Sequence, residues 1–423
     1  MIRQALIAGG GIGGLAAALA CTRAGWEVRL FERAAQFSEV GAGIQIGPNV
    51  TRVLHGWDLA GALAEVAAFP PRLQVRNAVS GQELGVLQLG DATVQRYGAP
   101  YATIHRADLH QLLLAAVQQQ ANAKLSLNHR LAHFAQTGDS VTVQGMVASG
   151  ADSDPKSEAW GPAIEGDALI GADGLWSPVR QWLLGDGPPR VTGHLAYRAL
   201  LPQSSLPERL RSQQITAWLG PRLHVVQYPV RRGEWLNVVG IVQGRLGMAE
   251  TGGSPDPGSW DHDTNALDLR GALAGTCVPL QDLINAIDRW RLWVLCDRPP
   301  MQGAHQQAQG RVALLGDAAH PMRPYLAQGA GMAIEDAAEL GRVLGQALDP
   351  ALDVPTMLNR YAQSRWQRNA QVQARAIRNG QIFHADGLLR WGRDASLKVL
   401  GERLLDMPWL YRGSQFEAGL LFI

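Results

Sequence analysis

The sequence has little of several features that define whole classes of protein. Only three cysteines occur in 423 residues, Cys21, Cys277 and Cys296, and their spacing fits neither a metal site nor a CxxC redox pair. We therefore expect no disulfide framework and predict a reducing, cytoplasmic environment. The formal net charge is +1, so no excess of positive charge indicates nucleic-acid binding. No apolar run reaches the roughly 18 residues that a membrane-spanning helix needs.

What is present indicates a globular chain. Apolar residues make up 46% and charged residues 18%, and the length is enough for two or three domains. The N-terminus, with an early arginine and a run of small apolar residues, resembles an export signal. However, five glycines within the six residues 9–14 would break the helix of such a signal, so we do not interpret it as one. We expect no bound metal.

Those glycines lie inside a strand, helix, strand unit. Residues 3–8 and 27–33 are predicted to be strands, and residues 12–24 are predicted to form the helix between them. Such a unit places the N-terminus of the helix at the end of the first strand. Its free N–H groups and the positive end of its dipole can then face a phosphate.

Gly9, Gly11 and Gly14 form the pattern G-x-G-x-x-G between the first strand and the helix. The first glycine permits a tight turn, the second lets the backbone approach a pyrophosphate, and the third allows close packing of helix on strand. Glu32 lies near the end of the second strand, where a carboxylate can accept hydrogen bonds from an adenosine ribose, and Arg33 follows it. The pattern predicts a bound dinucleotide. FAD and NAD both fit, whereas Glu32 would repel the 2′-phosphate of NADP.

A second acidic strand end distinguishes FAD from NAD. The apolar run at 312–315 leads into Gly316 and Asp317, and a helix is predicted to begin near residues 329–331. The ribityl chain of FAD needs hydrogen-bond acceptors away from the pyrophosphate, and Asp317 is placed to be one. The N-terminus of the helix would stabilise negative charge on the flavin ring. An NAD dehydrogenase has no need for this second turn, so the sequence favours FAD.

Three motifs in this order resemble those of the class A flavoprotein monooxygenases, which are single-component aromatic hydroxylases that use FAD. They are the glycine pattern at 9–14, the stretch GADGLWSPVR that contains Asp173, and GDAAHP at 316–321. The resemblance covers about residues 1–345. It implies tightly held FAD, transient binding of NADH or NADPH, and oxygen transfer through a flavin C4a-hydroperoxide to a small aromatic substrate.

The resemblance also implies residues that contact the cofactor. Arg106 is expected to contact FAD, the stretch GAGIQIGPN at 41–49 to lie near the flavin, and Asp173 to serve both FAD and NAD(P)H. The predicted cofactor-binding residues are Gly9, Gly11, Gly13, Gly14, Glu32, Arg33, Gly43, Arg106, Asp173, Asp317, Gly329, Ala330 and Gly331.

The substrate side is predicted from the strand-like stretch LHVVQYPV. His224 and Tyr228 lie four residues apart, which on a strand places both side chains on one face. Family members that act on 3-hydroxybenzoate or 6-hydroxynicotinate carry a similar pair. There the histidine works on the phenol proton and the tyrosine helps to hold the carboxylate. We therefore predict His224 as a general base and Tyr228 as a catalytic substrate contact.

Further residues are expected around the ring. His320, expected to lie near the flavin, is predicted to be catalytic, and Gln328 is predicted to support substrate or flavin. The predicted substrate-contacting residues are Gln45, His224, Tyr228, Pro324 and Tyr325. A 3-hydroxybenzoate-like acid is the expected substrate. Salicylate, 6-hydroxynicotinate and a larger aromatic or quinolone ring stay open, as does an FAD-dependent reductase or dehydrogenase.

The expected fold is α/β, with a Rossmann-like FAD-binding domain, an inserted antiparallel substrate-binding sheet and a helical C-terminal region. The stretches at 149–166 and 249–263 are predicted surface loops, and 380–423 packs on the core or on a second subunit. We expect a monomer or homodimer with no nucleic-acid partner and no integral membrane segment. The predicted ranges are 1–75, 100–185 and 296–345 for the FAD-binding domain, 76–99 and 186–295 for the sheet domain, and 346–423 for the helical region.

Overall fold

The computed structural model of the chain describes most of its length. The described residues are 2–37, 42–148, 158–243, 262–264, 266–348 and 352–413. Parts of the predicted loops at 149–166 and 249–263, the first residue of 41–49 and the end of the segment 380–423 lie outside them. No helix within the described ranges combines the length and the apolar character needed to cross a membrane.

The strands and helices alternate in the first third of the chain and helices dominate the last. The strands are β1 (Gln4–Ala8), β2 (Glu27–Phe31), β3 (Gly43–Ile46), β4 (Arg72–Asn77), β5 (Glu83–Gln88), β6 (Ala102–His105), β7 (Ala123–Ser126), β8 (His129–Gln136), β9 (Val141–Ala148), β10 (Glu158–Trp160), β11 (Ile164–Gly166), β12 (Ala168–Gly171), β13 (Arg190–Pro202), β14 (Ile215–Gly220), β15 (Leu223–Val230), β16 (Trp235–Gln243), β17 (His262–Thr264), β18 (Trp290–Asp297), β19 (Ala308–Gln309) and β20 (Val312–Leu314). The helices are α1 (Ile12–Arg23), α2 (Pro48–Gly56), α3 (Ala60–Val66), α4 (Asp91–Tyr97), α5 (Arg106–Gln118), α6 (Pro178–Leu184), α7 (Leu267–Ala272), α8 (Val278–Asn285), α9 (Gly329–Leu344), α10 (Val354–Phe383), α11 (Gly387–Leu400), α12 (Glu402–Leu405) and α13 (Pro408–Tyr411).

One sheet of the molecule has six strands, in the order β19-β20-β12-β1-β2-β7. Its neighbouring strands are parallel except for the β19–β20 pair. Helices α1, α5 and α9 bury their apolar residues against it in one large core cluster. Strands covered in this way read as continuous apolar runs, which is why residues 3–8 and 312–315 were recognisable in the sequence. The predicted strand, helix and strand are confirmed as β1, α1 and β2.

A second sheet has eight strands, in the order β17-β18-β13-β16-β15-β14-β4-β5. The predicted antiparallel sheet is confirmed, with one parallel pair, β14 with β4. Strand β4 starts at Arg72, ahead of the boundary predicted after residue 75. Leu73 of β4 pairs with Ile215 of β14, about 140 residues further along the chain, so no tight turn connects the two strands. The division into domains otherwise stays a prediction.

The two faces of the eight-stranded sheet differ in chemistry. One face carries Leu195, Tyr197, Val225 and Val238 and packs under α7 and α8 in an apolar cluster. The opposite face, which we call the site face, carries polar side chains on β13, β15 and β16. Register places them together, since His224 lies opposite Ile241 and Ile241 lies opposite Ala196. The polar residues of the site face are His194, Arg198, His224, Tyr228 and Asn237.

Candidate active site

The glycine pattern forms a cradle that excludes side chains. Gly9 has a φ of +100°, which favours glycine, and a Cβ there would lie 2.5 Å from the Ala172 carbonyl oxygen. A Cβ on Gly14 would lie 1.9 Å from the Gly9 carbonyl oxygen. Gly11 caps α1 without a side-chain hydrogen bond, and no acidic residue occupies the first turn. The N-terminus of α1 therefore keeps its positive end available for an anion.

Glu32 is held beside this cradle by the backbone. Its Oε2 accepts a hydrogen bond from Gly10 N at 2.6 Å, and its Oε1 accepts one from Ala34 N at 2.8 Å. Arg33 is exposed, and Gly13 faces Leu315, since a Cβ on Gly13 would lie 3.0 Å from the Leu315 side chain. The carboxylate is thus fixed just after β2, in the position predicted for a ribose acceptor.

The stretch around Asp173 connects two of the motifs. Asp173 accepts hydrogen bonds from Ser177 Oγ and, at 3.1 Å, from Val179 N. Burial raises the pKa of Asp173 to about 6, although these hydrogen bonds oppose the shift. Arg180, on α6, donates to the carbonyl oxygens of Ala318 and Ala319. The second motif therefore supports the turn that carries Asp317.

Asp317 lies at the N-terminus of α9. It belongs to a short 3-10 turn, Gly316–Ala318, and a Cβ on Gly329 would lie 3.9 Å from its Oδ1. Burial raises the pKa of Asp317, while Arg106 and His320 act in the opposite direction. Among the described residues the carboxylate has no hydrogen-bonded partner. Ala330 packs against the main core, and Gly331 closely faces Val50 and Gln328.

His320 belongs to a buried network of charges. Its Nε2 contacts Asp336 Oδ2, and Asp336 Oδ1 accepts from Arg365 Nε at 2.7 Å. All three side chains are fully buried. Burial alone would raise the pKa of Asp336, but its contacts with His320 and Arg365 hold it well below its usual range. These contacts favour a structural role for His320, and its catalytic role stays a prediction.

The same network reaches the stretch after Gly43. Glu335 accepts hydrogen bonds from Arg365, Arg368 and, at 2.7 Å, from Asn49 Nδ2. Asn49 also donates to Gln328 Oε1 at 3.0 Å, so Gln328 faces this network. Helix α10 is thereby tied through Glu335 of α9 to Asn49 of α2.

His224 lies in an aromatic cluster on the site face. Its Nδ1 is 2.8 Å from His384 Nε2, and the ring of Tyr325 lies 5.2 Å away. His194 stacks on His384 at 5.1 Å, and its Nδ1 is hydrogen bonded to the Tyr325 hydroxyl. Phe383 completes the cluster at 5.4 Å from His224.

Burial keeps the three histidines of this cluster uncharged near neutral pH. It lowers the pKa of His194 to about 4 and that of His384 to about 3. Burial, together with the two other rings, lowers the pKa of His224 well below its usual range. A neutral imidazole keeps a lone pair that can accept a proton, although its lowered pKa makes it a weaker base than an ordinary histidine.

Tyr228 and Gln45 make polar contacts of their own. The Tyr228 hydroxyl donates to the Gly43 carbonyl oxygen at 2.7 Å, and Asn237 Oδ1 accepts from Gly43 N at 2.6 Å. Tyr228 therefore lies on the predicted face but holds the backbone of β3. Gln45 Oε1 accepts from the Tyr101 hydroxyl at 2.8 Å. Pro324 is partly buried and begins the 3-10 turn Pro324–Leu326 that positions Tyr325.

Comparison with known proteins identifies the family of this chain. The FAD binding domain family matches residues 3–191 and 300–376. The chain belongs to this family. The 3-hydroxybenzoate 6-hydroxylase of Polaromonas naphthalenivorans is 37% identical over 412 residues, covering 96% of this chain and 95% of that protein. The 6-hydroxynicotinate 3-monooxygenase of Bordetella bronchiseptica is 35% identical over 369 residues, an alignment that covers 87% of this chain and 88% of that protein.

A solved structure agrees with the sequence relatives. Klebsiella pneumoniae HpxO, complexed with FAD and uric acid, superposes with a TM-score of 0.79 at 26% identity, over 95% of this chain and 94% of its own. The protein is an FAD-dependent aromatic-ring monooxygenase with the expected α/β fold. Its residues fit FAD on geometric grounds, because a Cβ on Gly9 or Gly14 would clash and Asp317 offers a partly buried carboxylate without a described partner.

Sequence reasoning missed several residues of this monooxygenase that lie around the site face. His194 and Arg198 alternate with apolar residues along GHLAYRA, a period of two that marks one face of a strand. His384 follows the 30-residue helix α10 and lies 160 residues from His224, so no local spacing could connect them. Asn237 lies opposite Tyr228 in the sheet, a pairing that only the register reveals.

Proposed function

We propose that this monooxygenase hydroxylates a phenolic aromatic carboxylate of the 3-hydroxybenzoate type, with NADH or NADPH and O2 as co-substrates. The observation that carries the proposal is the buried, neutral His224 on the site face. The Polaromonas and Bordetella relatives are named for aromatic acids that bear a ring hydroxyl, which supports the same substrate class here.

The proposed division of work follows the contacts. Bound FAD supplies the electrons and the activated oxygen for ring hydroxylation. His224 accepts the phenolic proton, which enriches the ring with electrons, and such a base typically contributes about 10²–10⁴-fold in rate. Tyr228 positions Gly43 beside the ring, and Tyr325 forms part of the aromatic wall. Close packing around the site excludes water.

The proposed cofactor contacts are those of the cradle and of the two acidic strand ends. Gly9, Gly11 and Gly14 would receive the pyrophosphate on α1, Glu32 the adenosine ribose, and Asp317 the ribityl chain. We further propose a cytoplasmic location and a monomer or homodimer.

The test is oxidation of NADH and NADPH by the purified holoenzyme, with 3-hydroxybenzoate, salicylate or 6-hydroxynicotinate, while peroxide is measured alongside. Strong stimulation with little peroxide identifies a substrate. Stimulation with mostly peroxide means that the acid binds without being hydroxylated. No stimulation by any of the three acids contradicts the proposed substrate class and favours a larger ring. Preference for 6-hydroxynicotinate would favour the pyridine acid of the Bordetella relative.

A further inference from the structure

Arg198 is a positively charged group on the site face for which the structure describes no anion. The guanidinium has no hydrogen bond or ion pair among the described residues, and its Nε is buried without a partner. It lies over the Trp293 ring with its Cζ 3.6 Å from the ring centroid. Arg198 is only partly buried, but an arginine lying among apolar side chains normally pairs with an anion, because shielding an unpaired charge from water is costly. The missing partner is therefore expected to come from a ligand.

A second donor without a partner lies nearby. Asn237 is fully buried, and its Oδ1 accepts from Gly43 N, which fixes the orientation of the amide. Its Nδ2 has no partner in the part of the chain that the structure describes. Asn237 stands two residues before Val239, the residue opposite Arg198. Diagonal neighbours of this kind are about 7–8 Å apart, within reach of a long side chain.

The register places these donors at a useful distance from His224. Val239 lies opposite both Arg198 on β13 and Val226 on β15, and Val226 lies midway between His224 and Tyr228. Neighbouring strands are about 4.8 Å apart, so the Arg198 backbone lies about 10 Å from β15. A single aromatic ring lying across β16 would have one end near Arg198 and the other near His224.

The Tyr228 hydroxyl is less suited to hold a carboxylate by itself. It donates its hydrogen to the Gly43 carbonyl oxygen, and a carboxylate can only accept hydrogen bonds. Burial lowers the pKa of Arg198 to about 9, against the influence of Tyr228. The guanidinium is thus still positively charged at neutral pH, and a bound anion would stabilise that charge further.

We propose that Arg198, assisted by Asn237 Nδ2, forms an anion subsite that binds the carboxylate of the aromatic substrate. This proposal rests on the proposed function for the identity of the ring, but not for the existence of the subsite. It assigns the charge recognition to β13 and leaves Tyr228 to position β3.

The experiment compares acids with their neutral amides on the FAD-loaded enzyme. Dissociation constants are measured from the flavin absorbance change for benzoate, benzamide, 3-hydroxybenzoate and 3-hydroxybenzamide, with the wild type, Arg198→Met and Arg198→Lys. Methionine keeps an unbranched side chain over Trp293 and removes the charge, whereas lysine keeps the charge. FAD content and thermal unfolding are recorded for each variant.

The wild type should prefer each acid to its amide. Arg198→Met should lose about tenfold to hundredfold of that preference, the size expected for losing a charged hydrogen bond, with amide binding little changed. Arg198→Lys should keep part of it. Asn237→Asp keeps the acceptor for Gly43 N and places a negative charge next to the ligand, so it should weaken the acids selectively.

Other outcomes contradict the subsite. An unchanged preference in Arg198→Met, or an equal loss for acid and amide, would show that Arg198 only supports packing. A fall in FAD content with the preference retained would assign the charge to the flavin. A wild type without acid preference also refutes the subsite. A wild type that prefers benzoate to benzamide but hydroxylates none of the tested acids would keep the subsite and refute the proposed function.

Discussion

His224 Nδ1 lies 2.8 Å from His384 Nε2, a contact that joins the start of β15 to the end of α10. Two neutral imidazoles share one hydrogen in such a contact, so one ring donates and the other accepts. When His224 donates from Nδ1, its Nε2 carries the lone pair that a base needs. The partner of His224 therefore bears directly on whether His224 can take a proton from a substrate.

Replacement of His224 tests its role as the base. We expect His224→Ala to lower kcat for the best substrate by about 10²–10⁴-fold, because a positioned base contributes about that much. FAD content should stay unchanged, since no predicted cofactor contact involves this residue. The exposed His305→Ala is the matched control and should keep wild-type kcat. A His224→Ala enzyme within a few-fold of wild type would remove this residue from the chemistry.

The two tautomers of His224 can be separated by substitution of its partner. In His384→Gln the amide oxygen can accept where Nε2 does now, whereas His384→Phe removes the acceptor and keeps a planar ring. We expect the phenylalanine variant to lose at least about tenfold in kcat, part of what a positioned base supplies, and the glutamine variant to keep most of its activity. Measuring kcat against pH for both variants tests this. Equal losses in the two would mean that His384 acts through packing alone.

The buried histidines also predict how stability depends on pH. Burial lowers the pKa of His384 to about 3, below the roughly 6.5 of an unfolded histidine. Between these values the unfolded chain binds a proton that the folded chain does not, so stability is complete above about pH 6.5 and falls as pH decreases. As pH decreases over this window, the free energy of unfolding of the wild type, measured with urea, should fall more steeply than that of His384→Gln. The difference in slope should be up to about 1.4 kcal/mol per pH unit. Parallel curves for the two proteins would contradict the depressed pKa.

How far the sequence predicts the fold depends on how local the signals are. Gly9, Gly14 and Glu32 lie within one strand, helix, strand unit, and their contacts agree with the pattern. The parallel pairing of β4 with β14 joins stretches about 140 residues apart, as the register of Leu73 with Ile215 shows, and no periodicity encodes it. Such pairings are decided by the whole sheet, which is why the boundary after residue 75 cuts through a strand.

The site divides in the same way. The sequence alone predicts that a histidine and a tyrosine four residues apart on a strand share one face, and His224 and Tyr228 do lie on the site face. That Tyr228 is bonded to Gly43, and His320 to Asp336, depends on distant backbone and charge. Sequence patterns identify which side chains share a face, but the hydrogen bonds that occupy them come from other elements.

Substitution of Asp317 can separate an effect on FAD binding from an effect on the stability of the protein. We expect Asp317→Ala to weaken FAD binding by about tenfold or more, the loss of a hydrogen bond to a charged group. The apoprotein should be no less stable, because the carboxylate is partly buried with no described hydrogen-bonded partner and burial raises its pKa. FAD titration by fluorescence and thermal unfolding of the apoprotein measure the two quantities. The control is Asp139→Ala, an exposed position, and a fully FAD-loaded Asp317→Ala protein would refute the assignment.

Arg365 provides a test of the buried charge network. We expect Arg365→Met to destabilise the protein by about 3–5 kcal/mol, because it leaves the carboxylates of Glu335 and Asp336 buried with fewer partners. Urea unfolding gives the free energy. Arg342→Met is the control, since its pair with Glu339 involves a half-exposed arginine and should contribute less than about 1 kcal/mol. Similar losses for both variants would show that charge burial is not what distinguishes Arg365.

The place of β20 in the six-stranded sheet has a consequence during synthesis. The strand pairs with β12, whose neighbour on the other side is β1, yet β20 lies at Val312–Leu314. Nearly three quarters of the chain must leave the ribosome before that edge of β12 is covered. Until then the nascent protein presents an unpaired apolar strand edge, the kind of surface that invites aggregation. Chains cut short before β20 are expected to depend on chaperones for solubility.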